Sequence, residues 1–166
     1  MATIKLPHFG SLDPDSLEEY YDIDIPFNDT EIQIDLNFEQ ITIDAKRLDV
    51  AAKFIGNIRI HDLNNKKYIE KDFNDPGGDT VKFYLEHHLE DLGEEELSGL
   101  IDLKSRSSDH IKQLFKKLHL VRVGLYPDSV DQFAIFDYSI GKELTQYLIV
   151  INADENGNIE YMTMES

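Results

Sequence analysis

Residues 20–37 read YYDIDIPFNDTEIQIDLN, and apolar side chains alternate with polar ones on both sides of Asn28-Asp29. The apolar positions are Tyr21, Ile23, Ile25, Phe27, Ile32, Ile34, Leu36 and Phe38. Alternation with a period of two is typical of a strand that buries one face. Two such strands around a two-residue polar loop predict a β-hairpin.

The loop length also predicts the register of this hairpin. If residues 28 and 29 form the loop, paired residues have numbers that sum to 57, so that Asp22 faces Asp35 and Asp24 faces Gln33. Like charges directly opposite each other destabilise a sheet. Two interpretations remain open: a solvated face on which water and salt screen the repulsion, or a surface that receives a cation from a metal or from a partner's Lys and Arg. The apolar pairs of this register are Ile25 with Ile32, Ile23 with Ile34 and Tyr21 with Leu36.

The hairpin lies in the most acidic part of a very acidic chain. The formal net charge of the 166 residues is −17, from 16 Lys plus Arg and 33 Asp plus Glu. The 40 residues between Lys5 and Lys46 contain no Lys or Arg and eleven acidic residues. Phosphate groups are bound by clustered Lys and Arg, so we expect neither a nucleic acid nor an anionic membrane surface as partner.

Other classes are excluded by what the sequence lacks. It has no cysteine, which excludes a disulfide framework, a thiolate metal site and a cysteine nucleophile. The start MATIKLPHFG lacks the apolar core of a signal peptide, and no apolar run approaches the ~18 residues of a membrane span. We therefore expect a soluble, cytoplasmic protein.

The rest of the chain predicts an α+β fold in a single domain, residues 1–166: an N-terminal β-hairpin, a helical middle and a C-terminal four-stranded antiparallel meander. A short strand is expected near residues 3–7, and Ile41 and Ile43 are expected to extend the sheet. Asp44 is expected to cap the first helix, and Asp79 or Thr80 a later one. The predicted helices are 44–57, 58–73, 81–92, 94–102 and one from Ser107 or Ser108 to about Leu118; the meander strands are 120–125, 132–138, 146–152 and 159–164.

No set of residues specifies a reaction, a metal or a cofactor. His88 lies on the apolar side of its predicted helix, as a core histidine would. His87 and Asp91 share a helical face, but no third metal ligand has a suitable spacing. Residues 152–160 place oxygen-bearing side chains and Gly157 as in a calcium loop, although an Asn156-Gly157 hairpin turn accounts for them with fewer assumptions. We accordingly predict no catalytic, cofactor-binding or metal-binding residue.

Several segments together resemble a bacterial family catalogued only as a domain of unknown function (domain of unknown function two thousand and four). They are residues 78–91 (GDTVKFYLEHHLED), 120–128 (LVRVGLYPD) and 133–166, together with HFG and IQIDLNFE near the N-terminus. The resemblance covers nearly the whole chain and implies a bacterial, cytosolic protein. It brings no activity, so no residue receives a role from it.

Two functional hypotheses follow. The first is a non-enzymatic acidic module that binds a basic protein through Asp22, Asp24 and Asp35, one version being an inhibitor or immunity-type protein that masks a basic nuclease. The alternative is a small-ligand binder or enzyme with a pocket between the helices and the meander. That pocket would use His88, Tyr84, Tyr126 or Asp137.

Overall fold

A computed structural model describes residues 2–166 of the protein, with eight strands and five helices in that range. The strands are β1 (Ile4–Leu6), β2 (Gly10–Leu12), β3 (Tyr20–Phe27), β4 (Thr30–Asn37), β5 (His119–Leu125), β6 (Ala134–Ser139), β7 (Leu148–Ala153) and β8 (Ile159–Glu165). The helices are α1 (Ala45–Gly56), α2 (Ile58–Asn74), α3 (Thr80–Asp91), α4 (Glu94–Ser98) and α5 (Ser107–Phe115). The α+β class predicted from the sequence is confirmed.

The hairpin of β3 and β4 has the predicted register. Asp22 pairs with Asp35 and Asp24 with Gln33, and the apolar pairs are likewise those predicted. Asn28 in the loop has a φ of 54°, a left-handed conformation that Asn tolerates better than most residues. The two-residue loop and the alternating pattern therefore determine this pairing locally.

The C-terminal strands do not form a separate four-stranded sheet. One six-stranded sheet has the order β3-β4-β5-β6-β7-β8, and all neighbours are antiparallel except β4 and β5. The helical middle is thus the crossover between two parallel neighbours, as parallel strands require a long connection. Ile41 and Ile43 do not extend the sheet, and Ile41 is exposed. The predicted strand near residues 3–7 is present as β1, which pairs with β2.

The helices pack against one face of the six-stranded sheet. Phe54 of α1 lies against Phe136 of β6, Tyr138 of β6 donates a hydrogen bond to Asp62 of α2, and α3 contacts β7 and β8. The fully buried Ile34, Val123, Phe136 and Ile151 come from four neighbouring strands and point into this core. Since side chains alternate along a strand, the residues between them point to the opposite face.

The predicted cap of α1 is confirmed, whereas the cap of α3 differs from the predicted one. Asp44 caps α1 as predicted, because its carboxylate accepts a hydrogen bond from the N–H of Lys46. At α3, Asp79 accepts a hydrogen bond from the Thr80 hydroxyl at 3.5 Å and from no backbone N–H of the helix. Asp72 of α2 accepts the N–H of Val81 instead, at 2.9 Å. The start of α3 is therefore fastened to the end of the preceding helix.

Among residues 2–166, no helix combines the length and the apolar composition needed to cross a bilayer.

Candidate functional site: the open face of the sheet

We call the helix-free side of the six-stranded sheet the open face. Its strand positions are Tyr20, Asp22, Asp24, Pro26, Glu31, Gln33, Asp35, Asn37, Arg122, Gly124, Ile135, Asp137, Leu148, Val150, Asn152, Tyr161, Thr163 and Glu165. Six of these side chains are carboxylates. Within the described residues, Arg122 is the one Lys or Arg at these positions, so the formal charge of the face is 1 − 6 = −5.

Asp35 lies on β4, next to the edge strand, and is bound by Arg122. The Arg122 guanidinium donates from Nε to Asp35 Oδ2 at 2.7 Å and from Nη2 to Oδ1 at 2.9 Å. Asn37 Nδ2 adds a third hydrogen bond to Asp35 Oδ1 at 2.7 Å. The sequence-based view of Asp35 as part of an exposed surface is wrong, because the residue is 0% exposed. Asp35 is covered by Arg122 of β5, a strand distant in sequence that pairs with β4.

Arg122 also contacts a second carboxylate, Asp137, on the other side of β5. Nη1 donates to Asp137 Oδ2 at 3.2 Å, and Asp137 is 6% exposed. Burial raises the pKa of Asp137, and Arg122 only partly opposes that increase. Burial alone would lower the pKa of Arg122, but the hydrogen bonds and charge of Asp35 outweigh it and raise that pKa. One guanidinium thus serves two buried carboxylates, and the charge of the trio is −1.

Gly124 makes this arrangement sterically possible. A Cβ on Gly124 would lie 2.5 Å from Arg122 Nη2 and 3.1 Å from Asp35 Oδ1. Glycine inside a strand often marks a close approach of this kind. Two sequence signals could have revealed the trio: Gly124 interrupts an apolar strand, and Arg122 is the one Lys or Arg in the four predicted meander strands.

Asp22 and Asp24 differ from Asp35 in that both are exposed. They lie on β3, the outermost strand of the sheet. Asp22 is the ladder partner of Asp35, whose charge Arg122 neutralises, so the repulsion expected across this pair is relieved. The structure therefore brings all three predicted residues to one face, with two of them free to meet a partner.

The four residues proposed for a pocket do not converge. Tyr84 and His88 are buried in α3 on the helical side, whereas Asp137 lies on the open face and Tyr126 follows β5. Tyr84 donates a hydrogen bond to the carbonyl of Tyr147. A site that uses all four side chains is excluded, because the sheet separates Tyr84 and His88 from Asp137.

His88 is a buried histidine with both ring nitrogens occupied. Nδ1 lies 2.6 Å from the carbonyl oxygen of Tyr84, which can only accept, so Nδ1 carries the proton. Nε2 lies 2.8 Å from Thr145 Oγ1, and the hydroxyl donates to the neutral ring. Burial lowers the pKa of His88. The residue joins α3 to the segment before β7, as expected for a core histidine.

A cavity of about 280 Å³ does lie between the helices and the sheet. Its lining combines apolar Ile69, Phe115 and Leu118 with Lys66, Glu70, Lys116 and Tyr138. Behind it, the Tyr138 hydroxyl donates to Asp62 Oδ1 at 2.6 Å, and Lys66 pairs with Asp62 Oδ2 at 3.2 Å.

Asn65 lies close to this cluster. It is 0% exposed, and neither of its amide atoms has a hydrogen-bond partner within the described part of the chain.

The calcium-loop residues form a hairpin turn. Asp154 Oδ1 accepts the N–H groups of Asn156 and Asn158, and Glu160 accepts the N–H of Gln132. Gly157 has a φ of 82°. In residues 2–166, no group of three or more His, Asp or Glu side chains is placed to hold a metal ion, and this includes His87 and Asp91.

Comparison of the chain with protein-family models, with curated proteins and with solved structures finds no match in any of the three.

Proposed function

We propose that the protein is a non-enzymatic module that binds a basic partner protein through its open face. The observation that carries the proposal is the charge of that face, six carboxylates against one guanidinium. Arg122 is already engaged by Asp35 and Asp137, so the remaining carboxylates have no cation on the face to pair with. A partner with clustered Lys and Arg would supply the missing charge, speed association and gain specificity.

The exposed carboxylates and the buried ones have different parts in this proposal. Asp22 and Asp24 are exposed on an edge strand, where they can meet a partner's side chains directly. Asp35 and Asp137 are buried and hold Arg122, so they shape the surface. A protein that masks a basic nuclease, as an inhibitor or immunity protein does, is the specific form we favour, because such a target already presents a surface built for phosphates.

The resemblance to the bacterial family of unknown function supplies no activity, so the proposal rests on this chain's own residues. Membership of that family stays a prediction.

The experiment measures binding to poly-L-lysine as a function of salt concentration. The double variant Asp22→Asn, Asp24→Asn should weaken binding and flatten its salt dependence, because fewer ion contacts form. Glu86→Gln with Glu90→Gln is the matched control: it removes the same charge from exposed positions of α3, on the helical side. If both double variants weaken binding equally, the effect is one of total charge and the proposal is wrong.

A second candidate function is the binding of a small amphipathic ligand in the cavity beside Tyr138. The lining favours it, since apolar Ile69, Phe115 and Leu118 lie beside the charged Lys66, Glu70 and Lys116, a combination typical of small-molecule sites. A thermal-shift screen with small metabolites and divalent ions tests it, because a ligand that binds only the folded state raises Tm. A true ligand should give a smaller shift with Lys116→Ala than with the wild-type protein, and silence across a broad library would contradict this function.

A further inference from the structure

A groove of about 410 Å³ crosses the open face on the far side of Arg122 from the hairpin, along β6, β7 and β8. Its apolar walls include Ile135, Leu148 and Val150, and its polar groups include Asp137, Asn152 and Glu165. The residues alternate with the helix-facing core residues of the same strands, so the groove is separate from the cavity beside Tyr138.

Two of its polar side chains belong to residues that are more than nine-tenths buried and line the groove. Asn152 is 5% exposed and lines the groove, yet no hydrogen bond of its side chain is found within residues 2–166. Asp137 is 6% exposed, and its one hydrogen bond found there is the 3.2 Å contact of Oδ2 with Arg122. Because both side chains line the groove, their oxygens can accept hydrogen bonds from a group that enters it.

The charge around these acceptors specifies a cation. Asp137 is close enough to Asp35 and Glu165 for both to raise its pKa, so the groove carries more negative charge than Arg122 compensates. In the register, Asp137 and Asn152 lie diagonally across β6 and β7, since Asp137 pairs with Val150 and Ile135 with Asn152. Tyr161 pairs with Asn152 and is 42% exposed, which puts an aromatic ring beside the same spot, suited to a cation.

We propose that this groove receives a lysine side chain of the basic partner, an inference that rests on the proposed function and names the group it recognises. The methylene stem would lie on Leu148 and Val150, and the ammonium would donate to Asp137 and Asn152, the diagonal pair; Glu165 would add negative charge from β8. A lysine fits better than an arginine, because a carboxylate and an amide oxygen on neighbouring strands suit a compact ammonium that can donate to both. A guanidinium fork suits a single carboxylate, as Arg122 already shows at Asp35.

The test is a titration of the isotope-labelled protein with the peptide acetyl-Gly-Lys-Gly-amide, followed by NMR. We expect shifts at the Asn152 side-chain amide and at the backbone amides of residues 135, 137 and 150. The same peptide with an acetylated lysine should bind at least tenfold more weakly, because acetylation removes the charge. The arginine peptide should bind more weakly than the lysine peptide. Equal binding of the charged and acetylated lysine peptides would overturn the inference.

Variants locate the contact. Asp137→Asn and Asn152→Ala should each reduce affinity for the lysine peptide at least severalfold, whereas Glu86→Gln with Glu90→Gln should leave it unchanged. If Asp137→Asn does not give a well-dispersed spectrum, Asn152→Ala decides the question. A lysine peptide that binds both groove variants as it binds the wild-type protein overturns the proposal.

The failure of this inference is distinguishable from that of the proposed function. If poly-L-lysine binding depends on Asp22 and Asp24 while the lysine peptide causes no shifts in the groove, the binding module stands and the lysine pocket does not. If the peptide causes NMR shifts in the groove but poly-L-lysine binds equally well without the Asp22 and Asp24 charges, the lysine pocket is supported and the proposed role of the wider face is not.

Discussion

Arg122 and Asp35 form a two-point ion pair, with Nε–Oδ2 and Nη2–Oδ1 distances of 2.7 and 2.9 Å, between residues 87 positions apart in the chain. The pair spans the parallel junction of β4 and β5, where Arg122 is the ladder partner of Gln33 and Asp35 that of Gly124. It therefore connects the N-terminal hairpin to the C-terminal strands. The same side chain reaches Asp137, so the junction and the open face depend on one guanidinium.

Removing this guanidinium should destabilise the protein strongly. Arg122→Ala leaves two buried carboxylates without their cation, and breaking a buried ion pair from one side costs about 3–5 kcal/mol. Arg122→Lys should recover only part of the loss, because an ammonium cannot repeat the two-point geometry. The free energy of unfolding in urea is the measurement. Arg106→Ala, at an exposed arginine, should change it by less than about 0.5 kcal/mol, and a similar loss from both alanine variants would contradict the prediction.

At the start of α3, the cap predicted from the sequence is Asp79, whereas the observed cap is Asp72. Asp72→Ala should cost about 0.5–2 kcal/mol, as the loss of a cap usually does, because Asp72 accepts the N–H of Val81. Asp79→Ala should cost less than about 0.5 kcal/mol, since the Asp79 side chain accepts no backbone N–H of the helix and only an exposed 3.5 Å contact from the Thr80 hydroxyl. The test is to measure the free energy of unfolding of both variants in urea. Equal losses, or a larger loss with Asp79→Ala, would contradict the assignment of Asp72 as the cap.

These two cases show which features the sequence could predict. The hairpin and its register follow from a two-residue loop and a period of two, which are properties of residues close together in the chain. The same alternation places Asp22, Asp24 and Asp35 on one face, and for Asp22 and Asp24 the predicted exposure is confirmed. Local patterns indicate which way a side chain points and do not indicate what covers it.

The parts that the sequence did not reveal all depend on distant residues. Asp35 is covered by Arg122 from β5, and α3 is capped from α2 rather than by the residue before it. The single sheet arises from the parallel pairing of β4 with β5, which the helical middle separates. The groove combines Asp137 with Asn152, whose side chains meet only once β6 and β7 are paired. Long-range pairing therefore limits what could be predicted of the site.

Two glycines with similar φ values allow the cost of backbone strain to be distinguished from the cost of a steric clash. Gly10 and Gly157 have φ values of 79° and 82°, but a Cβ on Gly10 would meet nothing within 4 Å, whereas one on Gly157 would lie 2.3 Å from His61 Nδ1. Gly10→Ala should cost about 1–2 kcal/mol from the backbone alone. Gly157→Ala should cost about 1–3 kcal/mol more, as overpacking does.

The excess at Gly157 should depend on the imidazole ring. In a double-mutant cycle with His61→Ala, the additional cost of Gly157→Ala should largely disappear, leaving a loss like that at Gly10. Unfolding free energies of the four proteins measure this coupling. Additive losses would mean that the hairpin turn does not press on His61.

The buried histidine of α3 should make the protein less stable in mild acid. Because burial lowers the pKa of His88 below its ordinary value of 6.5, the unfolded chain takes up a proton at this residue before the folded protein does. Well above pH 6.5 both states are neutral and the protonation of His88 has no effect on stability. As the pH falls below 6.5, the stability should fall by up to about 1.4 kcal/mol per pH unit, until the pKa of the folded state is reached.

The free energy of unfolding between pH 7.5 and 5.5 tests this sign. His88→Asn is expected to be less stable at every pH but to lose less stability on acidification, because no proton is taken up at position 88. Some slope should remain, since burial also lowers the pKa of His61. His8→Asn, at an exposed histidine with a φ of 71° that Asn tolerates, is the control for removing a histidine outside the core. If His88→Asn follows the wild-type curve, His88 is protonated equally easily in the folded and unfolded protein, and its burial does not govern the acid response.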